Sequence, residues 1–117
     1  MKTTALLALG LLLSGILGTA SAAGDAAAGK EKSAMCQSCH GADGNSTDPQ
    51  FPRLAGQHAN YIERALMDYR SGARKNPIMA GFAGGLTDED IANLAAYFSS
   101  QAGVVTPVQP REVNNNK

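Results

Sequence analysis

The apolar positions of this chain recur at helical spacing in its middle and again near its end. Ile62, Ala65, Leu66 and Tyr69 form an i, i+3, i+4, i+7 stripe with Tyr61 beside it, while Glu63, Arg64, Asp68 and Arg70 occupy the other faces. This pattern predicts a helix from about Gln57 to Ser71, with Gly72 as its C′ stop. Ile91, Leu94, Ala95 and Phe98 form the second stripe. Thr87 is placed to cap that helix, Asp90 to close a capping box and Leu86 to staple onto Ile91. Asp88 and Glu89 fall in the first turn, where the helix dipole favours them, and the helix should end near Gln101-Ala102-Gly103. Earlier, Asp25 reads as the N-cap of an Ala-rich helix running to about Cys36 or Cys39. Gly29 inside it costs about 1 kcal/mol relative to Ala, so it marks either a close helix crossing or a tolerated glycine near a helix end.

Two stretches carry no apolar period. From Gly41 to Gly56 the residues are mostly Gly, Asp, Asn, Ser, Thr and Pro, with Phe51, Pro52 and Leu54 as the apolar members. An irregular stretch of that length in a small domain implies something for it to wrap. Ala73 to Leu86 reads as a second irregular segment, carrying Asn76-Pro77-Ile78-Met79. The expected architecture is one all-α domain of three or more helices with two long loops and no internal repeat.

The first 22 residues stand apart. Lys2 precedes an almost wholly apolar run from Ala5 to Leu17, and Ala20-Ser21-Ala22 matches a small-x-small cleavage site, the pattern of a secretory signal peptide. Those 13 apolar residues fall short of the roughly 20 needed to span a bilayer, so no membrane span is expected in the mature chain. The organisation read from the sequence is a cleaved signal over residues 1–22, a domain over 23–103 and a flexible tail over 104–117. Export implies an oxidising compartment.

Charge excludes little but is informative. The 117 residues carry 10 basic and 10 acidic side chains, so the chain has no footprint of a nucleic-acid binder. With no Trp, three Tyr and three Phe, the domain also has few large apolar bodies for its core. A covalently held macrocycle would supply one.

Cys36-Gln37-Ser38-Cys39-His40 points to that macrocycle. Two thiols three positions apart, followed directly by an imidazole, form the C-x-x-C-H signature of covalent c-type haem attachment. One turn of helix sets both sulfurs along one edge of a porphyrin and aims His40 at the iron as an axial ligand. Two other readings of the pair fit less well. A zinc site would have to draw on Cys36, Cys39, His40 and His58, without a second pair at the usual spacing. A thioredoxin-like dithiol wants a βαβ context. Haem attachment also calls for a second ligand downstream. Met35 adjoins Cys36 on the same helix, Met67 lies off the apolar stripe of the middle helix, and His58 would give a bis-His centre. Met79 lies 39 residues after His40, in a segment expected to be a loop, with Pro77 stiffening one side and Gly81 loosening the other. It is the favoured axial ligand.

Gly29, Cys36 to His40, Phe51-Pro52-Arg53-Leu54-Ala55-Gly56-Gln57, Asn76 to Met79 and Leu86 to Ser100 together resemble a class I c-type cytochrome. The similarity is greatest to one domain of the dihaem periplasmic cytochrome c-four type, although this chain has a single C-x-x-C-H. The resemblance implies a cytochrome c fold around one covalently bound haem c, with thioethers at Cys36 and Cys39 and axial ligands at His40 and Met79. It further implies that the Pro52 carbonyl receives the second N–H of His40. Leu54 would pack on the haem, and Gly29 would sit where the first helix crosses the last, near Tyr97.

With both axial positions filled, the expected role is electron transfer and not catalysis: a periplasmic one-electron carrier, expected as a monomer. Its redox partners would dock transiently, between a quinol-oxidising complex and a terminal oxidase or reductase. The alternatives are a haem subunit bound permanently to a periplasmic oxidoreductase, or a ligand-binding sensor or enzyme in which Met79 is displaced. Arg53, Arg74 and Lys75 are candidates for a docking rim or for pairing with haem propionates, and equally for ordinary solvated charge.

Overall fold

A computed structural model describes residues 23–103, and the expected signal segment and tail lie outside the described residues. Five helices and no strand occur among these residues: α1 (Ala26–Lys32), α2 (Ala34–His40), α3 (Ala59–Ser71), α4 (Pro77–Ala83) and α5 (Asp88–Ser100).

The first expected helix is two, meeting at Ser33. Ser33 is fully buried, and its hydroxyl donates to the Lys30 carbonyl at 2.7 Å while accepting from Gln37 Nε2 at 2.9 Å. That competition with the backbone pattern interrupts the helix for one residue. Asp25 caps α1, accepting from the Ala27 and Ala28 N–H groups at 2.7 and 3.3 Å. α1 then crosses α5 at Gly29, where a β-carbon would collide with the Asn93 carbonyl and lie 2.9 Å from Tyr97 Cβ.

α5 organises the core. Thr87 and Asp90 form the full capping box, at 3.1 Å for the Asp90 N–H and 3.0 Å for the Thr87 N–H. Ile91, Leu94, Ala95 and Phe98 are all buried, and Tyr97 joins them. Leu86, Ala83 and Ile62 complete the cluster. Each large member, once buried, contributes about 1.5–3 kcal/mol of transfer free energy.

The stretch from Gly41 to His58 is irregular, as its composition implied, and is pinned to α5. Tyr97 Oη donates to the Ala42 carbonyl at 3.0 Å, and the Gly56 N–H donates to the Phe98 carbonyl at 3.0 Å. Asn45 Nδ2 reaches the Ala102 carbonyl at 2.9 Å. Gly44 turns with φ +84° directly against the Phe98 ring, a left-handed and crowded position that excludes a side chain.

Ala73 to Leu86 is not a second loop. Residues 77–83 form α4, started by Asn76, whose side chain accepts from the Ile78 and Met79 N–H groups at 3.0 and 3.1 Å. Pro77 at the first helical position has φ preset and no N–H left unpaired. Met79 therefore stands on a capped helical turn, and Gly81 lies within the helix and not in a hinge.

Candidate haem site

α2, the segment 50–57, α3, α4 and α5 surround a cavity of about 340 Å³. Cys36, Cys39 and His40 line it from α2, Pro52 and Leu54 from the loop, and Met79 from α4. The stripe on α3 faces it too. Tyr61, Ile62, Ala65, Leu66 and Tyr69 all line the cavity, and of these only Ile62 is buried. An amphipathic helix whose apolar face stays half exposed has its partner surface in the cavity.

His40 is buried, and its ring orientation is determined by the loop. Nδ1 lies 2.8 Å from the Pro52 carbonyl oxygen. A carbonyl only accepts, so Nδ1 carries the proton and Nε2 keeps its lone pair for coordination. Phe51 stands edge-on to the imidazole, with ring centroids 6.4 Å apart at 66°. This contact was not foreseen, because an aromatic within a Gly- and Pro-rich loop gives no hint of what it faces.

The two thiols are free and half-buried. Burial, with the neighbouring Cys39 adding to it, pushes the Cys36 thiol above its ordinary range, so it stays protonated near neutral pH. The other candidate ligands lie elsewhere. His58 is the N-cap residue of α3 and is not among the residues lining the cavity. Met67 is exposed, also outside the cavity, and Met35 lines the cavity beside Cys36 with 43% of its surface exposed. Among the described residues no group of three or more His, Cys, Asp or Glu side chains is placed to hold a metal ion.

Polar groups share the cavity wall. Arg53 lines it, with its Nε donating to the Ser46 carbonyl at 2.9 Å. Arg74 also lines it, stacked 4.8 Å over the Tyr69 ring, and the nearby Tyr61 side chain favours its charged form. Lys75 is exposed and is not part of the wall. Ile78 and Phe82 on α4 border the cavity and are 62% and 40% exposed.

A mostly apolar cavity with two thiols, a free imidazole nitrogen, two thioethers and two guanidinium groups on its wall fits a flat apolar macrocycle bearing iron and carboxylates. Fold and site together define a small helical haem protein of the c type. The chain belongs to the cytochrome c family, whose model matches residues 26–102. It shares 48% identity with cytochrome c4 of Pseudomonas aeruginosa over 103 residues, covering 88% of this chain and 51% of that protein. Cytochrome c-554(548) of Halomonas halodenitrificans is 51% identical over 82 residues, covering 68% of this chain and 99% of the relative. The crystal structure of reduced recombinant cytochrome c4 from Pseudomonas stutzeri superposes with a TM-score of 0.66 at 47% identity, covering 69% of this chain and 47% of that one. The chain thus spans about half the length of the cytochrome c4 relatives it matches. Family membership brings covalently bound haem c, and Cys36 and Cys39 with His40 form the attachment motif.

Proposed function

We propose that this chain, exported and trimmed after Ala22, is a periplasmic one-electron carrier whose haem iron is held by His40 and Met79. The observation that carries the reading is the pairing of a buried His40, with Nδ1 committed to Pro52, and Met79 on a capped turn lining the same cavity. When bound, the haem supplies a one-electron ferric–ferrous couple.

The protein's part is to hold geometry. Cys36 and Cys39 tether, Leu54 and the α3 stripe pack, and the core of α5 keeps the walls in place through a change of charge. Met79 as a thioether donor would favour the ferrous form relative to a second imidazole, and the apolar surroundings would push the same way. With His40 and Met79 both holding the haem, its chemistry there would be electron transfer and not substrate turnover. Ile78, Phe82 and Tyr61 give the rim an exposed apolar character, with Arg74 beside them. Such a rim suits brief docking of redox partners.

The deciding experiment is optical. The exported protein should give a covalent haem c spectrum in alkaline pyridine and a Met-to-iron charge-transfer band when oxidised. Met79→Ala should abolish the band, and a band that survives would sink the ligand assignment. Native purification should give a monomer, whereas a stoichiometric partner would make it a subunit.

A further inference from the structure

His40 takes its orientation from the loop that follows α2, so whatever holds Pro52 decides how well the 2.8 Å bond to Nδ1 is kept. Two backbone bonds bracket Pro52. The Phe51 N–H donates to the Asp48 carbonyl at 3.1 Å, and the Leu54 N–H donates to the Gly44 carbonyl at 2.8 Å. The Pro52–Arg53 peptide carries the carbonyl in question, and it is gripped by a side chain. Arg53 Nε donates across seven positions to the Ser46 carbonyl at 2.9 Å. Ser46 is a firm anchor, being only 5% exposed. Its hydroxyl donates to the Asp48 carbonyl at 3.1 Å and accepts from the Asp48 N–H at 3.2 Å.

We infer that Arg53 is a positioning residue, whose Nε clamp on Ser46 holds the Pro52–Arg53 peptide so that its carbonyl stays on His40 Nδ1. The inference rests on His40 as the axial ligand. The clamp and the charge of Arg53 act in opposite senses. A kept Nδ1 hydrogen bond makes the imidazole a stronger donor and lowers the reduction potential, as the partners behind a ligand do. A positive guanidinium on the cavity wall disfavours the ferric form and raises it.

Two substitutions separate these effects. Arg53→Gln places an amide N–H at the reach of Nε and removes the charge, whereas Arg53→Met keeps the length and removes both. Exchange of the His40 Nδ1 proton is followed by NMR in the reduced, haem-loaded protein. Arg53→Gln should stay within about twofold of the parent, and Arg53→Met should exchange about tenfold faster or more, by local opening of the loop. Arg53→Met should also show a higher potential than Arg53→Gln. Equal exchange in the two variants, or a potential for Arg53→Met at or below that of Arg53→Gln, overturns the clamp. Should Arg53→Met not fold, the parent still decides: its Arg53 Nε proton must be protected and coupled to the Ser46 carbonyl carbon, and exchange at the rate of free arginine overturns the inference. His40 ring protons that lack a strong haem ring-current shift would instead mean that the ligation reading had failed.

Discussion

Gly29 of α1 lies against the Asn93 carbonyl and the Tyr97 β-carbon of α5, at a crossing too close for any side chain. The contact matters beyond α1, because α2 follows after one residue and carries Cys36, Cys39 and His40. Gly29→Ala gains about 1 kcal/mol of helix propensity. The methyl group would meet backbone, which cannot rotate away, and overpacking of that kind costs about 1–3 kcal/mol or more. Net destabilisation is expected, read as a lower melting temperature of the haem-loaded protein by circular dichroism. A variant that melts at or above the parent would show that the crossing has slack.

The Asn76 side chain caps the start of α4, with the Met79 N–H among its two partners. Asn76→Ala should cost about 1 kcal/mol as a lost N-cap. The cost falls on the turn that carries Met79. On warming, the charge-transfer band should therefore fade several degrees before helical ellipticity does, and Asn76→Asp should restore the parent behaviour. Coincident loss of band and helix in Asn76→Ala would contradict a local role.

His58 and Met67 serve as controls for the ligand set. Both lie outside the cavity lining, His58 at the N-cap position of α3 and Met67 on its exposed side. His58→Ala and Met67→Ala should leave the oxidised and reduced spectra unchanged. A spectral shift in His58→Ala would point to a bis-His centre.

Asp90 ties acid stability to the capping box. The Thr87 N–H and, after it, the Lys32 ammonium at 3.0 Å hold its carboxyl below the usual carboxylate range. The folded value is lower than the unfolded one, so its contribution is complete above about pH 4 and is lost as pH falls through the lowered folded value. Asp90→Asn should be less stable than the parent at pH 6, and the gap should close in strong acid. Thermal melts across that range check the sign, and a gap that widens on acidification would refute it.

Much of the scaffold was legible because its signals are local. The capping box at Thr87 and Asp90, the Asp25 cap and the Gly72 stop are side-chain patterns within one or two turns, and each appears where it was read. α4 was missed although its Asn-Pro start is a recognised signal. Seven residues with a glycine and two alanines have too little periodicity to register, and a helix that short is stable mainly through its packing on α3. The break at Ser33 was missed for a related reason: the competing bonds of a buried hydroxyl become visible only once its burial is known.

By itself the sequence determined the attachment motif, the caps of α1 and α5, the apolar faces and the family. Each depends on residue identity at short spacing. The Pro52 carbonyl on His40 came from the family resemblance and not from any residue pattern, and the tertiary structure decided which aromatic stands against His40, that the α3 stripe faces a cavity, and that Arg53 grips Ser46. Those relationships run through backbone carbonyls or across long separations. Every residue has a carbonyl, so no side-chain pattern announces which one will be placed to accept a hydrogen bond.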